Sequence, residues 1–203
     1  MNFNKELFTK TEAIESGDFE SLELGGHEIV IKDVREHLSD FSHNISLKVS
    51  VDIAGDDKQK DYFKKQYENN TNKDKKWSNS ATKYLSLKDE SLGFLKGFIT
   101  AVEKSNSNFK FDVNGDWKQL NGLKLAGQFG LEEYQKEDGT IGTVTKLIQF
   151  RSLDKLSEIK IPRVKKIDGT YVKYEEYKNN TSSANKLEKT FGDTVEIDDS
   201  FLD

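Results

Sequence analysis

The strictest alternation of apolar and polar residues in this chain runs through residues 44–53, and it constrains the fold more than any other feature. Serine, lysine and aspartate alternate there with five apolar residues, Ile45, Leu47, Val49, Val51 and Ile53. Successive side chains of a β-strand point to opposite faces, so one face of this segment is apolar when it is extended. We therefore predict a strand here, paired with a β-branched stretch at residues 27–34.

The remaining patterns predict a mainly β chain with one central helix. Turn residues follow Ile53, and residues 60–68 are expected to return as the second strand of a hairpin. Residues 89–104 carry apolar side chains at spacings of three, four and seven, which is typical of an amphipathic helix. An Asp138-Gly139 turn is expected to join residues 133–136 to a strand at 142–150. Two more strands are predicted, at 109–113 and 120–129, and the overall order is β-β-β-α-β-β-β.

Composition divides the chain into an N-terminal arm at residues 1–24, a folded domain at 25–168 and a tail at 169–203. The arm has scattered hydrophobic residues among acids and ends at a glycine pair. The tail is rich in asparagine, serine and threonine, and its last thirteen residues contain five acids and no base. Such a segment buries too little apolar surface to offset the entropy of ordering, so we predict a flexible acidic tail.

The sequence argues against several classes of function. It contains no cysteine, which excludes disulfides, thiolate nucleophiles and thiolate-bound metals, and which fits a reducing cytoplasm. The three histidines have no thiolate partners, and the glycines at 122 and 127 lack the lysine and hydroxyl residue of a phosphate loop. No segment has the apolar length of a membrane span, and the N-terminus has no export signal. We expect a cytoplasmic protein with no catalytic residues, no metal and no cofactor.

Charge is distributed unevenly along the chain. The net charge is −5, but the segment from Lys58 to Lys88 has nine lysines against three acids. Aromatic residues lie among these lysines, and binding of single strands without sequence preference needs this mixture, because cations follow the phosphates while rings stack on unpaired bases. The candidate nucleic-acid-binding residues are Lys58, Lys60, Tyr62, Lys64, Lys65, Tyr67, Lys75, Lys76, Trp77, Lys83 and Tyr84.

Two further interpretations concern the same residues. On the predicted strand, Lys60, Tyr62, Lys64 and Gln66 share one face, and Phe63 lies on the face that is expected to reach the core. The alternative to binding is a lysine-rich solvated hairpin whose tyrosine and tryptophan side chains belong in part to the core. Both interpretations stay open at this point.

The end of the tail combines acidic and apolar side chains. Such a segment is suited to docking in an apolar pocket with a basic rim, or else it serves only as a solubilising extension. The candidate partner-binding residues are Asp198, Asp199, Phe201, Leu202 and Asp203.

The central part of the chain resembles a known family. Residues 82–89 read Thr-Lys-Tyr-Leu-Ser-Leu-Lys-Asp, and residues 95–106 read Leu-Lys-Gly-Phe-Ile-Thr-Ala-Val-Glu-Lys-Ser-Asn. These runs are similar to the central segment of single-stranded DNA-binding proteins encoded by phages of Gram-positive bacteria. Residues 127–134, Asp138-Gly139, 150–152 and 161–162 are similar to the next hairpin and exit segment of that family, so the resemblance spans about residues 25–166.

The resemblance implies an oligonucleotide-binding (OB) type barrel that binds single-stranded DNA, without catalysis, during phage DNA replication or recombination in the bacterial cytoplasm. In such folds the second and third strands and their loops carry the nucleic acid. Replication or recombination proteins are the expected partners of the tail, which ends in Phe-Leu-Asp where bacterial single-stranded DNA-binding proteins end in Pro-Phe. The alternative function is a protein-binding adaptor or strand-annealing accessory, and self-association is left open.

Overall fold

The computed structural model describes residues 21–40, 42–55 and 57–181, and it is mainly β. Seven strands within this part of the chain form one sheet in the order β3-β2-β1-β4-β6-β7, with β5 also paired to β4. Every pairing is antiparallel except the short contact between β4 and β6. The strands are β1 (Gly25–Leu38), β2 (Ile45–Ile53), β3 (Thr82–Ser86), β4 (Lys124–Gln135), β5 (Ile141–Arg151), β6 (Val164–Lys165) and β7 (Tyr171–Val172).

Helices fill the connections between the strands. Two α-helices are α1 (Tyr62–Asn69), between β2 and β3, and α2 (Leu92–Ser105), between β3 and β4. Residues 174–181 are also helical. Short 3-10 helices span Asn79–Ala81, Asp89–Ser91, Trp117–Leu120 and Leu153–Glu158. No helix in the described ranges is both long and apolar enough to cross a membrane.

The long strand β1 organises the sheet. Its C-terminal part pairs with β2 and its N-terminal part pairs with β4, so that Ile29 has both Ile53 and Leu125 as sheet partners. A register shift between Ile31 and Asp33 marks the irregularity at which β1 bends. The predicted strands at 27–34 and 44–53 are confirmed, and β1 extends beyond the predicted stretch at both ends.

The core lies under this bent sheet and is closed by side chains from both α-helices. Four apolar positions of β2 are inaccessible to solvent, as the alternation predicts: Leu47, Val49, Val51 and Ile53. Ile45, at the start of the strand, is exposed. Phe63 of α1 stacks on Phe129 of β4 with ring centroids 6.0 Å apart, and Phe98 and Val102 enter from α2. Full burial of one such side chain contributes about 1.5–3 kcal/mol, so these few contacts fix both helices to the sheet.

The hydrogen-bonded ladder does not close on itself within the described residues. Strand β3 pairs with β2 alone, and β5 pairs with β4 alone. Helix α2 lies across the opening between β3 and β5, where Phe98 and Phe150 have ring centroids 4.7 Å apart. Two strand edges with unpaired backbone groups therefore face this opening.

The predicted strand at residues 60–68 is wrong, because the chain forms α1 there. Asp61 adopts a left-handed conformation with φ of 58°, which turns the chain into the helix. The backbone N–H of Phe63 donates to Oδ1 of buried Asp52 at 3.0 Å, so the first turn is held against β2. Phe63 does reach the core, although from a helix instead of a strand.

The predicted strand at 109–113 is also wrong. These residues form a loop in which the N–H of Phe111 donates to Glu103 Oε1 at 3.0 Å and the ring of Phe111 stacks on Trp117. The strand predicted from residue 120 begins at Lys124, after a 3-10 helix that buries Leu120. The predicted central helix is confirmed as α2, and the hairpin at Asp138-Gly139 is confirmed as β4–β5, with Gly139 at φ of 84°.

Both predicted domain boundaries cut through ordered parts of the chain. Leu22, in the predicted arm, is only 4% exposed and belongs to the core, and the Gln59 side chain bonds the backbone of Ser21 and Glu23. The boundary after residue 168 falls in the turn between β6 and β7, where Val164 pairs with Val172. Residues 1–20 and 182–203 lie outside the described part of the chain.

Candidate nucleic-acid interface

The lysines predicted to line one strand face are distributed over a turn and a helix. Lys58 has its Nζ 2.5 Å from Glu23 Oε1, and Lys64 has its Nζ 3.9 Å from Glu68 Oε1. Lys60 lies in the turn and Lys65 on α1, both exposed. The predicted common face of Lys60, Tyr62, Lys64 and Gln66 is therefore wrong, because α1 places every second residue on a different side.

Tyr62 is a structural residue in this fold. Its ring meets that of Phe63 edge-on at 5.0 Å, and the side chain packs against the core. The side chain is half-buried, so only part of the ring is accessible. The alternative interpretation, in which tyrosine contributes to the core, is the one that fits Tyr62.

Tyr67, in the last turns of α1, does come together with predicted residues that follow the helix. The rings of Tyr67 and Trp77 lie 5.8 Å apart, and Lys75 Nζ lies 4.7 Å from the Tyr67 ring centroid. Trp77 donates its indole N–H to the Val51 carbonyl at 3.0 Å, which anchors the group to β2. Lys76 is exposed beside it. A cation over one ring and a second ring beside it form an aromatic surface with local positive charge, the combination that stacking of unpaired bases needs.

Tyr84 lies at the β3 end of a polar row that crosses three strands. It pairs with Lys48 of β2, which pairs in turn with Arg35 of β1, so these three side chains share the outer face of the sheet. Lys48 Nζ is 5.9 Å from the Tyr84 ring centroid, and the His37 ring is 5.2 Å away. Tyr84 is 44% exposed, although Lys48 and His37 lie close to its ring.

A polar depression lies at one side of Tyr84, near the loop between β1 and β2. It has a volume of about 540 Å³. Its lining combines hydroxyl groups with the Tyr84 ring, an imidazole, a lysine and a carboxylate, and includes His37, Ser39, Ser46, Tyr84, Ser86, Lys88 and Glu90.

A second, more apolar groove occupies the opening between β3 and β5 under α2, with a volume of about 720 Å³. Leu85, Phe98 and Phe150 give it apolar walls, and the exposed Phe94 side chain stands on α2 at its rim. Its cationic side chains are Lys83, Lys104, Arg151 and Lys155. Tyr84, Ser86 and Ser91 line both the groove and the polar depression, so the two surfaces are continuous.

Lys83 points away from Tyr84 and into the groove side of β3. It is half-buried, and burial lowers the pKa of its ammonium group, with nearby Lys146 and Lys165 acting in the same direction and Glu132 against them. Burial alone would raise the pKa of Glu132, but the hydrogen bond and charge of Lys146, helped by Lys165 and Lys83, hold that pKa below its usual value. A charged cluster thus adjoins the groove.

Sequence reasoning missed most of the cations on this surface. Lys48 could have been found, because the alternation of β2 already places it on the polar face. Arg35, Lys104, Arg151 and Lys155 carry no local signal, because strand pairing positions Arg35 and only the packing of distant elements brings the other three to the groove. The predicted tail residues Asp198, Asp199, Phe201, Leu202 and Asp203 lie outside the described residues.

A different cavity, of about 750 Å³, lies between α1 and β5 and is lined by Leu22, Tyr62, Leu131 and Tyr174 among others. Among the described residues, the one charged side chain that lines it is an acid, Glu23, so this cavity is poorly suited to phosphate. Comparison of the chain with models of known protein families and with curated proteins finds no match.

Proposed function

We propose that this chain binds single-stranded DNA with little sequence preference, and without catalysis, across the outer face of β1–β3 and along the groove between β3 and β5. The observation that carries the proposal is the position of Tyr84. This exposed ring lies close to Lys48 and His37, at the point where the polar depression and the groove meet. A DNA single strand that crosses this point would stack a base on the Tyr84 ring and place the adjoining phosphates near cationic side chains.

The topology supports an OB-type barrel. Such barrels are five-stranded and partly open, and they bind nucleic acid on the second and third strands. Here β1 pairs with both β2 and β4, β5 follows β4 as a hairpin, and α2 spans the opening between β3 and β5. The row through Tyr84 and Lys48 lies on β3 and β2, which is the face that such a barrel uses.

The biological setting follows from the sequence resemblance. We propose a role in phage DNA replication or recombination in the cytoplasm of the bacterial host, with partner proteins recruited through the acidic tail. The protein-binding adaptor remains the competing function. If the chain is such an adaptor, we expect no oligonucleotide binding with the salt dependence of phosphate contacts.

Fluorescence anisotropy with labelled dT oligomers of several lengths tests the proposal. We expect the single strand to bind far more tightly than a duplex of the same length at moderate salt. The logarithm of the binding constant should fall linearly with the logarithm of salt concentration, with a slope of about 0.7 per phosphate contact. Equal affinity for single strand and duplex would overturn the proposal, and absence of oligonucleotide binding would favour the adaptor.

A further inference from the structure

Four charged side chains from four different strands interact electrostatically, and one of them, Lys83, lines the groove. Glu132 of β4 accepts from Lys146 of β5, with Oε2 and Nζ 2.8 Å apart, and its other oxygen, Oε1, lies 3.8 Å from Nζ of Lys165 of β6. Lys83 of β3 interacts electrostatically with all three. The cluster contains three ammonium groups and one carboxylate, and therefore has an excess of two positive charges.

The fold holds these groups in place. Lys165 is the sheet partner of Glu132, and Lys146 comes from the strand on the opposite side of β4. Pro162 packs so closely on Gly130 that a Cβ there would lie 2.3 Å from the proline ring. This contact fixes the segment that leads into β6. Packing as well as ion pairing therefore positions Lys165 beside Glu132.

Lys83 is the member of the cluster whose ammonium group has no directly paired anion among the described residues. Lys83 is half-buried. Within the described ranges, however, its Nζ makes no hydrogen bond and has no carboxylate within ion-pair distance. Removing an ammonium group from water without a paired anion is unfavourable. The nearby carboxylate of Glu132 is already engaged by two other lysines. A polyanionic ligand would supply the missing countercharge.

We propose that Lys83, Lys146 and Lys165 form a subsite for one backbone phosphate of a single strand lying in the groove, with Glu132 holding the two outer lysines in position. The inference rests on the proposed function. Lys83 lines the groove itself, and Lys146 lies two residues before Ile148, which also lines it. Arg151 and Lys155 line the same groove further along β5 and just beyond it, so the cations follow one path.

The carboxylate has a second consequence. Glu132 competes with phosphate for the same ammonium groups, and it therefore weakens binding while it orders the site. Its replacement by the neutral Glu132→Gln adds one positive charge to the cluster. Binding of a dT oligomer should tighten at low salt, and the difference should fade as salt approaches about 1 M, where the Debye length is near 3 Å.

The test combines three variants with two matched controls. Lys83→Met keeps most of the aliphatic stem, and Lys146→Gln keeps a polar side chain; each should lower the salt slope of dT-oligomer binding by about 0.7, the value for one lost phosphate contact. Lys110→Gln removes a lysine that is 81% exposed and paired with Glu103, and Glu103→Gln removes a carboxylate of similar exposure to Glu132. Neither control should change the slope. Thermal unfolding of every variant shows whether the fold is retained.

The outcomes separate this inference from the proposed function. If the unmodified chain binds dT oligomers and the three variants behave like the controls, the phosphate subsite is refuted while the proposed function stands. If the unmodified chain does not bind oligonucleotide, the proposed function fails, and tripolyphosphate titrated against the lysine Nζ and Cε NMR signals tests the cluster alone. Shifts confined to Lys83, Lys146 and Lys165 would support the subsite, and uniform shifts of exposed lysines would refute it.

Discussion

Trp77 donates its indole N–H to the carbonyl oxygen of Val51 at 3.0 Å, one residue beyond the point where β3 stops pairing with β2. The side chain thus replaces a backbone partner at the edge of the sheet. From sequence, Trp77 is a candidate nucleic-acid-binding residue. The structure assigns it an anchoring role as well.

Trp77→Ala should therefore reduce stability in addition to any effect on binding. Loss of a half-buried ring and of its hydrogen bond predicts a decrease of about 2–4 kcal/mol in the free energy of unfolding. Trp77→Phe should cost about 1 kcal/mol, because it leaves the Val51 carbonyl unpaired. Urea unfolding measures both values. An unchanged midpoint for Trp77→Ala would show that the ring contributes only to ligand binding.

Tyr84 is expected to show the opposite behaviour. Tyr84→Ala should weaken dT-oligomer binding by about 1–3 kcal/mol, the range for one stacked base, while the stability changes little. Tyr84→Phe keeps the aromatic face and should retain most of the affinity. Tyr171→Ala is the control, because that tyrosine is similarly exposed but lies on β7, away from the groove. Equal losses at both tyrosines would indicate a non-specific effect.

Gly97 allows the groove to be narrowed without weakening the fold. It lies on α2 and lines the groove, and a Cβ built on it meets no atom within 4 Å. Gly97→Ala should raise stability by up to about 1 kcal/mol, because glycine is a poor helix former. Gly97→Leu should keep most of this gain while its side chain occupies the groove. For Gly97→Leu, the unfolding temperature should therefore rise while the affinity for the dT oligomer, measured by fluorescence anisotropy, falls.

If Gly97→Leu binds the dT oligomer as tightly as Gly97→Ala does, the DNA single strand does not pass under α2. The path would then be restricted to the outer face of β1–β3. The comparison between the two variants is informative because both remove the same glycine and differ only in the volume added.

How far sequence predicts this molecule depends on the range of the interactions. Strands β1 and β2, helix α2 and the β4–β5 hairpin were predicted because their patterns are local. Helix α1 was missed because Tyr62, Phe63 and Tyr67 suit either a strand or a helix, and the contact from Asp52 to the first turn of α1 comes from a distant strand. The cations of the groove escaped prediction for the same reason.

Asp52 predicts a pH dependence of stability. It is fully buried: Oδ1 accepts from Ile53 and Phe63, whereas Oδ2 has no partner within the described residues. Burial raises the pKa of this carboxyl above its usual value, against the effect of the two backbone hydrogen bonds. A raised pKa in the folded state means that the carboxyl favours folding most when protonated. Stability is lost as pH rises from the unfolded pKa, about 3.9, through the folded pKa.

Asp52→Asn removes this titration and keeps an oxygen for the two backbone donors. The buried amide does not titrate, so its effect on the free energy of unfolding is the same at every pH. Any pH dependence of the difference in unfolding free energy between variant and parent therefore comes from the Asp52 carboxyl. That difference should move in favour of the variant as pH rises from about 4 to 7. Chemical denaturation across this range measures it. Parallel curves would show that the Asp52 pKa is not raised.

The last prediction concerns the five acids between residues 191 and 203 and the cations of the groove. A covalently attached anionic segment competes with phosphate at a high local concentration, and the competition is strongest at low salt. A chain ending at residue 190 should therefore bind dT oligomers more tightly than the full chain, with the largest gain at low salt. A second variant with Asp193, Glu196, Asp198, Asp199 and Asp203 changed to their amides keeps Phe201 and Leu202. If charge alone competes, this variant should match the truncated chain in oligonucleotide binding while it retains any apolar contact to a partner protein. Tighter binding by the truncated chain but not by the amide variant would assign the competition to Phe201 and Leu202, and no change in either would leave the tail without a role in DNA binding.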